Sequence, residues 1–166
     1  MKNILNQVIL TKKGDLNMKV TVEELPKSRI AYFRNVGEYG GKQNQKLMAS
    51  FKKWAKLNGV FDDATILGIP QDNPEIVPKE ACRYDVCVII NKDLIVTKPA
   101  HIGEFSGGKY AVFLVDHTKE AISEFWGNIF SEIKRNNLSI KAQPIIERYT
   151  AQMITKHLCE ILVPIR

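Results

Sequence analysis

The chain has 166 residues, 45% hydrophobic and 25% charged, with a formal net charge of +6. This length suits one domain, and the mix is that of an ordinary folded protein, which excludes a disordered or fibrous chain. No run approaches the ~20 apolar residues a membrane helix needs; residues 1–7 carry no signal-peptide pattern; and three cysteines, Cys82, Cys87 and Cys159, exclude a disulfide framework.

The expectation is a cytoplasmic protein with reduced thiols and no membrane partner. Residues 1–18 are polar with a turn at Lys13-Gly14-Asp15 and read as an N-terminal arm; the domain is expected over 19–166. Val20 and Val22 alternate with polar neighbours in a half-buried strand ending at Leu25-Pro26. A second strand covers 29–36, apolar on both faces, and Gly37 to Gly41 breaks it. The next helix runs to about Asn58, with Leu47, Met48, Phe51, Trp54 and Ala55 on one face. Its other face carries Lys42, Lys46, Lys52, Lys53 and Lys56. No helix-turn-helix, finger or basic run accompanies these lysines, so there is no direct DNA-binding motif and they read as a solvated face. A short strand covers 65–69, a proline-rich loop 70–83, and a strand 84–90.

The second half repeats that order. A lead-in strand covers 101–105, Gly107-Gly108 reads as a turn between strands, and the next strand covers 109–115. Thr118 is an N-cap for a helix whose apolar face is Ile122, Phe125, Trp126, Ile129, Phe130 and Ile133, stopped by Asn136-Asn137. Strands at 144–150 and 159–165 complete it. Ile30-Ala31-Tyr32-Phe33 matches Tyr110-Ala111-Val112-Phe113, and Ile66-Leu67-Gly68-Ile69 matches Ile145-Ile146-Glu147-Arg148. The fold class is therefore α+β: tandem duplicated strand-helix-strand-strand units, over about 19–91 and 101–166, with antiparallel sheets, two main helices and a central ligand groove.

The most informative position is Glu147. Strand alternation puts Ile145, Glu147 and Tyr149 on one face and Ile146 and Arg148 on the other. A carboxylate on an interior strand breaks the binary pattern, and such breaks concentrate at functional sites. Its repeat-mate is Gly68, so the glycine is expected to leave empty volume opposite the charge. Relief of the buried charge comes from a protein base, Arg148 or Lys109, or from an incoming cation held against aromatic rings. Tyr149, Tyr84, Tyr39, Trp126, Trp54 and Phe113 are the aromatic candidates; for the two tryptophans a core role competes. Scattered histidines (His101, His117, His157) give no metal-ligand spacing with Cys82 and Cys87, and no phosphate loop is present, so neither metal nor cofactor is expected. Asp72 and Asp85 read as turn-capping or ion-paired groups.

The segments Leu25-Pro26-x-x-Arg29-Ile30-Ala31-Tyr32, Val36-Gly37-x-Tyr39-Gly40, Leu67-Gly68-Ile69-x-x-Asp72-Asn73-Pro74, Cys82-Arg83-Tyr84-Asp85, Gly107-Gly108-x-Tyr110-Ala111, Ile146-Glu147-x-Tyr149 and Ile161-Leu162-Val163-Pro164-Ile165 occur in register. Together they resemble the GyrI-like, or AraC-type effector-binding, domain family from Val20 to Arg166. The resemblance implies that Glu147 is the central contact for a lipophilic cation, with Tyr149 beside it; the reading of the residues adds Tyr39, Tyr84, Trp126, Gly68 and Phe113 to the expected ligand-binding set. It implies a stand-alone small-molecule-binding protein, acting by sequestration or as the effector module of a transcription regulator. Two alternatives accompany it: a hydrolase of cyclopropane-bearing toxins using Glu147 and Tyr149, and a protein that partners DNA gyrase.

Overall fold

The computed structural model describes residues 20–166; the expected arm lies outside the described residues. Strands β1 (Val20–Leu25), β2 (Ser28–Val36), β3 (Ile66–Pro70), β4 (Arg83–Ile90), β5 (His101–Phe105), β6 (Gly108–Asp116), β7 (Ile146–Tyr149) and β8 (Leu158–Pro164) form one antiparallel sheet. Helices α1 (Gly41–Leu57) and α2 (Lys119–Arg135) pack on one of its faces, and α3 (Ala151–Thr155) is a single short turn.

The sheet order is β1-β6-β8-β7-β3-β4-β2-β5. Exchanging each first-half strand for its second-half counterpart reverses that order onto itself, which is the signature of a pseudo-twofold axis between β3 and β7. The helices obey the same operation. An offset of 78 residues carries the buried Leu47, Phe51, Trp54 and Ala55 of α1 onto the buried Phe125, Ile129, Glu132 and Ile133 of α2.

The lead-in strands, however, change sides. β1 pairs with β6 of the second half, and β5 pairs with β2 of the first. Gly107-Gly108 does fall at the junction of consecutive strands, as expected, but the two it links, β5 and β6, stand near opposite ends of the sheet and do not pair. Only residues 26–27 join β1 to β2, and only 106–107 join β5 to β6, so the sheet must curl until its ends meet. They do meet: the Phe105 and Tyr110 rings stack with centroids 6.4 Å apart. The two links cross so closely that a side chain at Gly107 would strike the backbone of Leu25, Pro26 and Lys27. Curling also creates a second, helix-free core of Ile30, Leu67, Ile69, Phe105, Tyr110, Val112, Ile146 and Leu162.

Helix ends follow local chemistry. Thr118 Oγ1 accepts from Ala121 N at 3.1 Å, the expected N-cap. Asn136 Nδ2 donates to Glu132 O at the far end, and Asn137 takes the left-handed conformation at φ 55°. The strand expected over 144–150 is shorter at both ends. Pro144 has no N–H to offer a ladder, while Thr150 caps α3 by accepting from Met153 N. On α2 the apolar face is wider than what the sheet covers: Trp126 and Phe130 stay 40% and 60% exposed. Two helices sharing one sheet each bury only a narrow stripe.

Candidate functional site

The pairing of β3 with β7 sets Ile66 opposite Tyr149, Leu67 opposite Arg148 and Gly68 opposite Glu147. The repeat offset of 79 residues carries Gly68 onto Glu147, so this one pair sits on the pseudo-twofold axis. Both project to the helix side of the sheet, where α1 and α2 leave a groove of about 660 Å³. A drug-sized molecule fits such a volume. The floor is Glu147, Tyr149, Ile145 and Pro70; one wall is α1 with Met48, Ala49 and Lys52; the other is Trp126 with His117; and Tyr39 and Tyr84 close one side.

The acid is held but not neutralised. The Tyr149 hydroxyl donates to Glu147 Oε2, and His117 Nε2 lies 3.5 Å from the same hydroxyl. Among the described residues Glu147 makes no ion pair. Neither base expected as a partner reaches it. Arg148 points through the sheet to the opposite face, where its guanidinium meets Glu23 at 2.6 Å and Glu160 at 3.0 Å in a buried network. Residue alternation forces this, because adjacent strand residues cannot share a face. Lys109 lies on β6, which β8 separates from β7 in the sheet order.

Burial, and secondarily the negative charge of Glu147, hold the Tyr84 and Tyr149 hydroxyls far above the ordinary tyrosine range. Both therefore stay protonated and serve the carboxylate only as dipoles or donors. Gly68 contributes differently from expectation. The space over it is not empty but filled by Tyr84, whose hydroxyl a Cβ at position 68 would strike. The missing side chain lets an aromatic ring lie beside the charge.

Tyr39 is fixed by its hydroxyl, which accepts from Asp72 N at 2.9 Å and lies 2.9 Å from the Arg83 carbonyl oxygen. Its ring meets Tyr84 edge-on at 6.3 Å. Asp72 is itself clamped by Arg83, whose hydrogen bonds hold its carboxyl down at about 2. Asp85 pairs with Arg34 at 2.6 Å. Both aspartates are structural ion pairs.

Tyr39, Tyr84, Trp126, Glu147 and Tyr149 thus come together around one cavity. Phe113 does not: it is buried in the core, edge-on to Phe125 at 5.4 Å. Trp54 is core as well, its Nε1 donating to Thr97. Sequence reasoning missed His117, Met48 and Lys52. The repeat held the signal for two of them. The offset that superposes the N-caps Gly40 and Thr118 pairs Tyr39 with His117 and Met48 with Trp126. Groove walls are therefore equivalent positions filled by unlike residues, an asymmetric pocket in a symmetric frame. Among the described residues no cluster of His, Cys, Asp and Glu could hold a metal, and no helix is long and apolar enough to cross a membrane.

Comparison with known proteins agrees with this architecture. A model described as "GyrI-like small molecule binding domain" matches residues 18–166. The chain is 70% identical over 149 residues, 90% of its length, to the whole of the Bacillus subtilis (strain 168) protein named "SPbeta prophage-derived putative transcriptional regulator YosT". It is 25% identical over 139 residues to a "DNA gyrase inhibitor" of Citrobacter rodentium (strain ICC168), covering 80% of this chain and 85% of that one. Among solved structures, that of SAV2435 bound to tetraphenylphosphonium superposes with a TM-score of 0.54 at 17% identity, over 90% of this chain and 94% of the other.

Proposed function

This chain belongs to the GyrI-like small molecule binding domain family, and from that premise we propose that its groove binds a lipophilic cation with Glu147 as the counter-charge. The observation that carries the reading is the Glu147 carboxylate, hydrogen-bonded by Tyr149 but without an ionic partner among the described residues, on an aromatic-walled floor. Removing an ion from water is costly unless an opposite charge meets it. An incoming cation supplies that charge, and ring faces at Tyr84, Tyr39 and Trp126 add about 0.5–2 kcal/mol each where they stack on it. The likeness to a protein solved with tetraphenylphosphonium supports the choice of ligand class. The regulator name of the Bacillus relative supports a role as an effector-sensing module.

The test is calorimetric titration with tetraphenylphosphonium. Glu147→Gln keeps the shape and removes the charge, so affinity falls tenfold or more while the melting temperature holds or rises. Unchanged affinity in that variant refutes the site.

The chain Glu147–Tyr149–His117 supports a second reading, hydrolysis of a strained electrophile. With Tyr149 kept protonated, Glu147 is the only one of the two that can act as a base toward water. Turnover of such a substrate, abolished by Glu147→Ala, separates this from binding alone.

A further inference from the structure

Lys52 does not behave like the other lysines of α1. Lys42, Lys46, Lys53 and Lys56 are exposed, as a solvated face requires, but Lys52 is half-buried and lines the groove. It follows Met48 by one helical turn on the stripe that α1 turns inward, about 6 Å further along the helix axis. Among the described residues its ammonium has neither a hydrogen bond nor an ion pair. Burial first, and the nearby Lys56 second, push its pKa below the ordinary lysine value, the mark of a cation with nothing to neutralise it. Glu147 on the floor is equally without an ionic partner, and the two do not pair with each other. One cavity thus holds an uncompensated anion and an uncompensated cation among its lining residues.

We infer that Lys52 sets the ligand specificity of the groove, and that the preferred ligand is a lipophilic zwitterion with its cationic end at Glu147 and an acidic group at Lys52. This rests on the proposed role of Glu147 and refines it. A purely cationic ligand leaves Lys52 unsatisfied and is repelled by it; an acid on a short apolar spacer removes both penalties. Salt screens a half-exposed pair of this kind, so its effect is moderate, five- to tenfold.

The test compares two probes that differ only in the acid: butyltriphenylphosphonium and (4-carboxybutyl)triphenylphosphonium, titrated calorimetrically at pH 7.5 and low salt. The quantity read is the ratio of their Kd values, which a general loss of folding does not move. Wild type is expected to bind the carboxylated probe about five- to tenfold more tightly. Lys52→Met, which keeps the apolar stem, brings the ratio to about one, and Lys52→Glu inverts it. Glu147→Gln weakens both probes and leaves the ratio in place. A wild-type ratio near one, or a ratio unmoved in Lys52→Met, overturns the role of Lys52 while leaving that of Glu147 standing. Equal binding by wild type and Glu147→Gln overturns the Glu147 reading instead, and no binding of either probe by wild type overturns both.

Discussion

Substituting the axial glycine tests the packing around the charge most directly. An ideal Cβ on Gly68 would overlap the Tyr84 hydroxyl, whereas the ring carbon that bears it would stay at 3.4 Å and Glu147 Cβ at 3.7 Å, both ordinary contacts. In Gly68→Ala a single oxygen is therefore in the way, and Tyr84 must swing toward the groove. Overpacking of this kind costs about 1–3 kcal/mol. The gain from a less flexible unfolded chain, about 0.4–1 kcal/mol, offsets only part of it. At about 2–4 °C per kcal/mol for a domain of this size, the net loss of about 1–2 kcal/mol lowers Tm by about 2–8 °C. Tetraphenylphosphonium affinity falls too, because the displaced ring occupies ligand space. Tyr84→Phe removes the offending atom, so the double variant Gly68→Ala/Tyr84→Phe recovers most of what Gly68→Ala lost. Calorimetric melting of the four proteins closes the cycle. If Gly68→Ala melts with wild type, or if Tyr84→Phe brings no recovery, the close approach at the axis is wrong.

Two further outcomes test the frame around the groove. Arg148→Met strips the shared cation from Glu23 and Glu160 and is expected to destabilise the fold by about 3–5 kcal/mol in urea titration; a loss under 1 kcal/mol refutes a buried network. Asp72, whose carboxyl is lowered to about 2 by Arg83, contributes stability that is present above its unfolded value of about 3.9 and is lost as pH falls through about 2. Its carboxyl signal in NMR titration should accordingly shift midpoint from about 2 to about 4 in Arg83→Ala, and an unaltered midpoint refutes the clamp.

Much of the fold was legible because duplication writes itself into sequence as repeated periodicity. The alternation around Glu147 assigned its face correctly, and the Gly68–Glu147 match identified the pair that meets on the axis. What could not be read was which half each lead-in strand joins, since pairing partners far apart in the chain leave no periodic trace. Phe113 was misjudged for a related reason: alternation says which face a residue takes but not whether a helix lies over it, and Phe125 does. Lys52 was read with the other lysines because nothing in the residue type or helical spacing separates it from them, yet it alone of the five is half-buried and lines the groove. Trp126 shows the converse, an apolar residue left half-exposed because the groove exists.

The exchanged lead-in strands also set an order of events during synthesis. β1 finds its partner only when residues up to Phe113 have been made, and β2 acquires its outer neighbour only with residues 101–105. Pairings of such long range are slow to form. A ribosome-bound first half therefore carries an unsealed edge until most of the chain has emerged, and neither half, cut free of the other, retains a complete sheet.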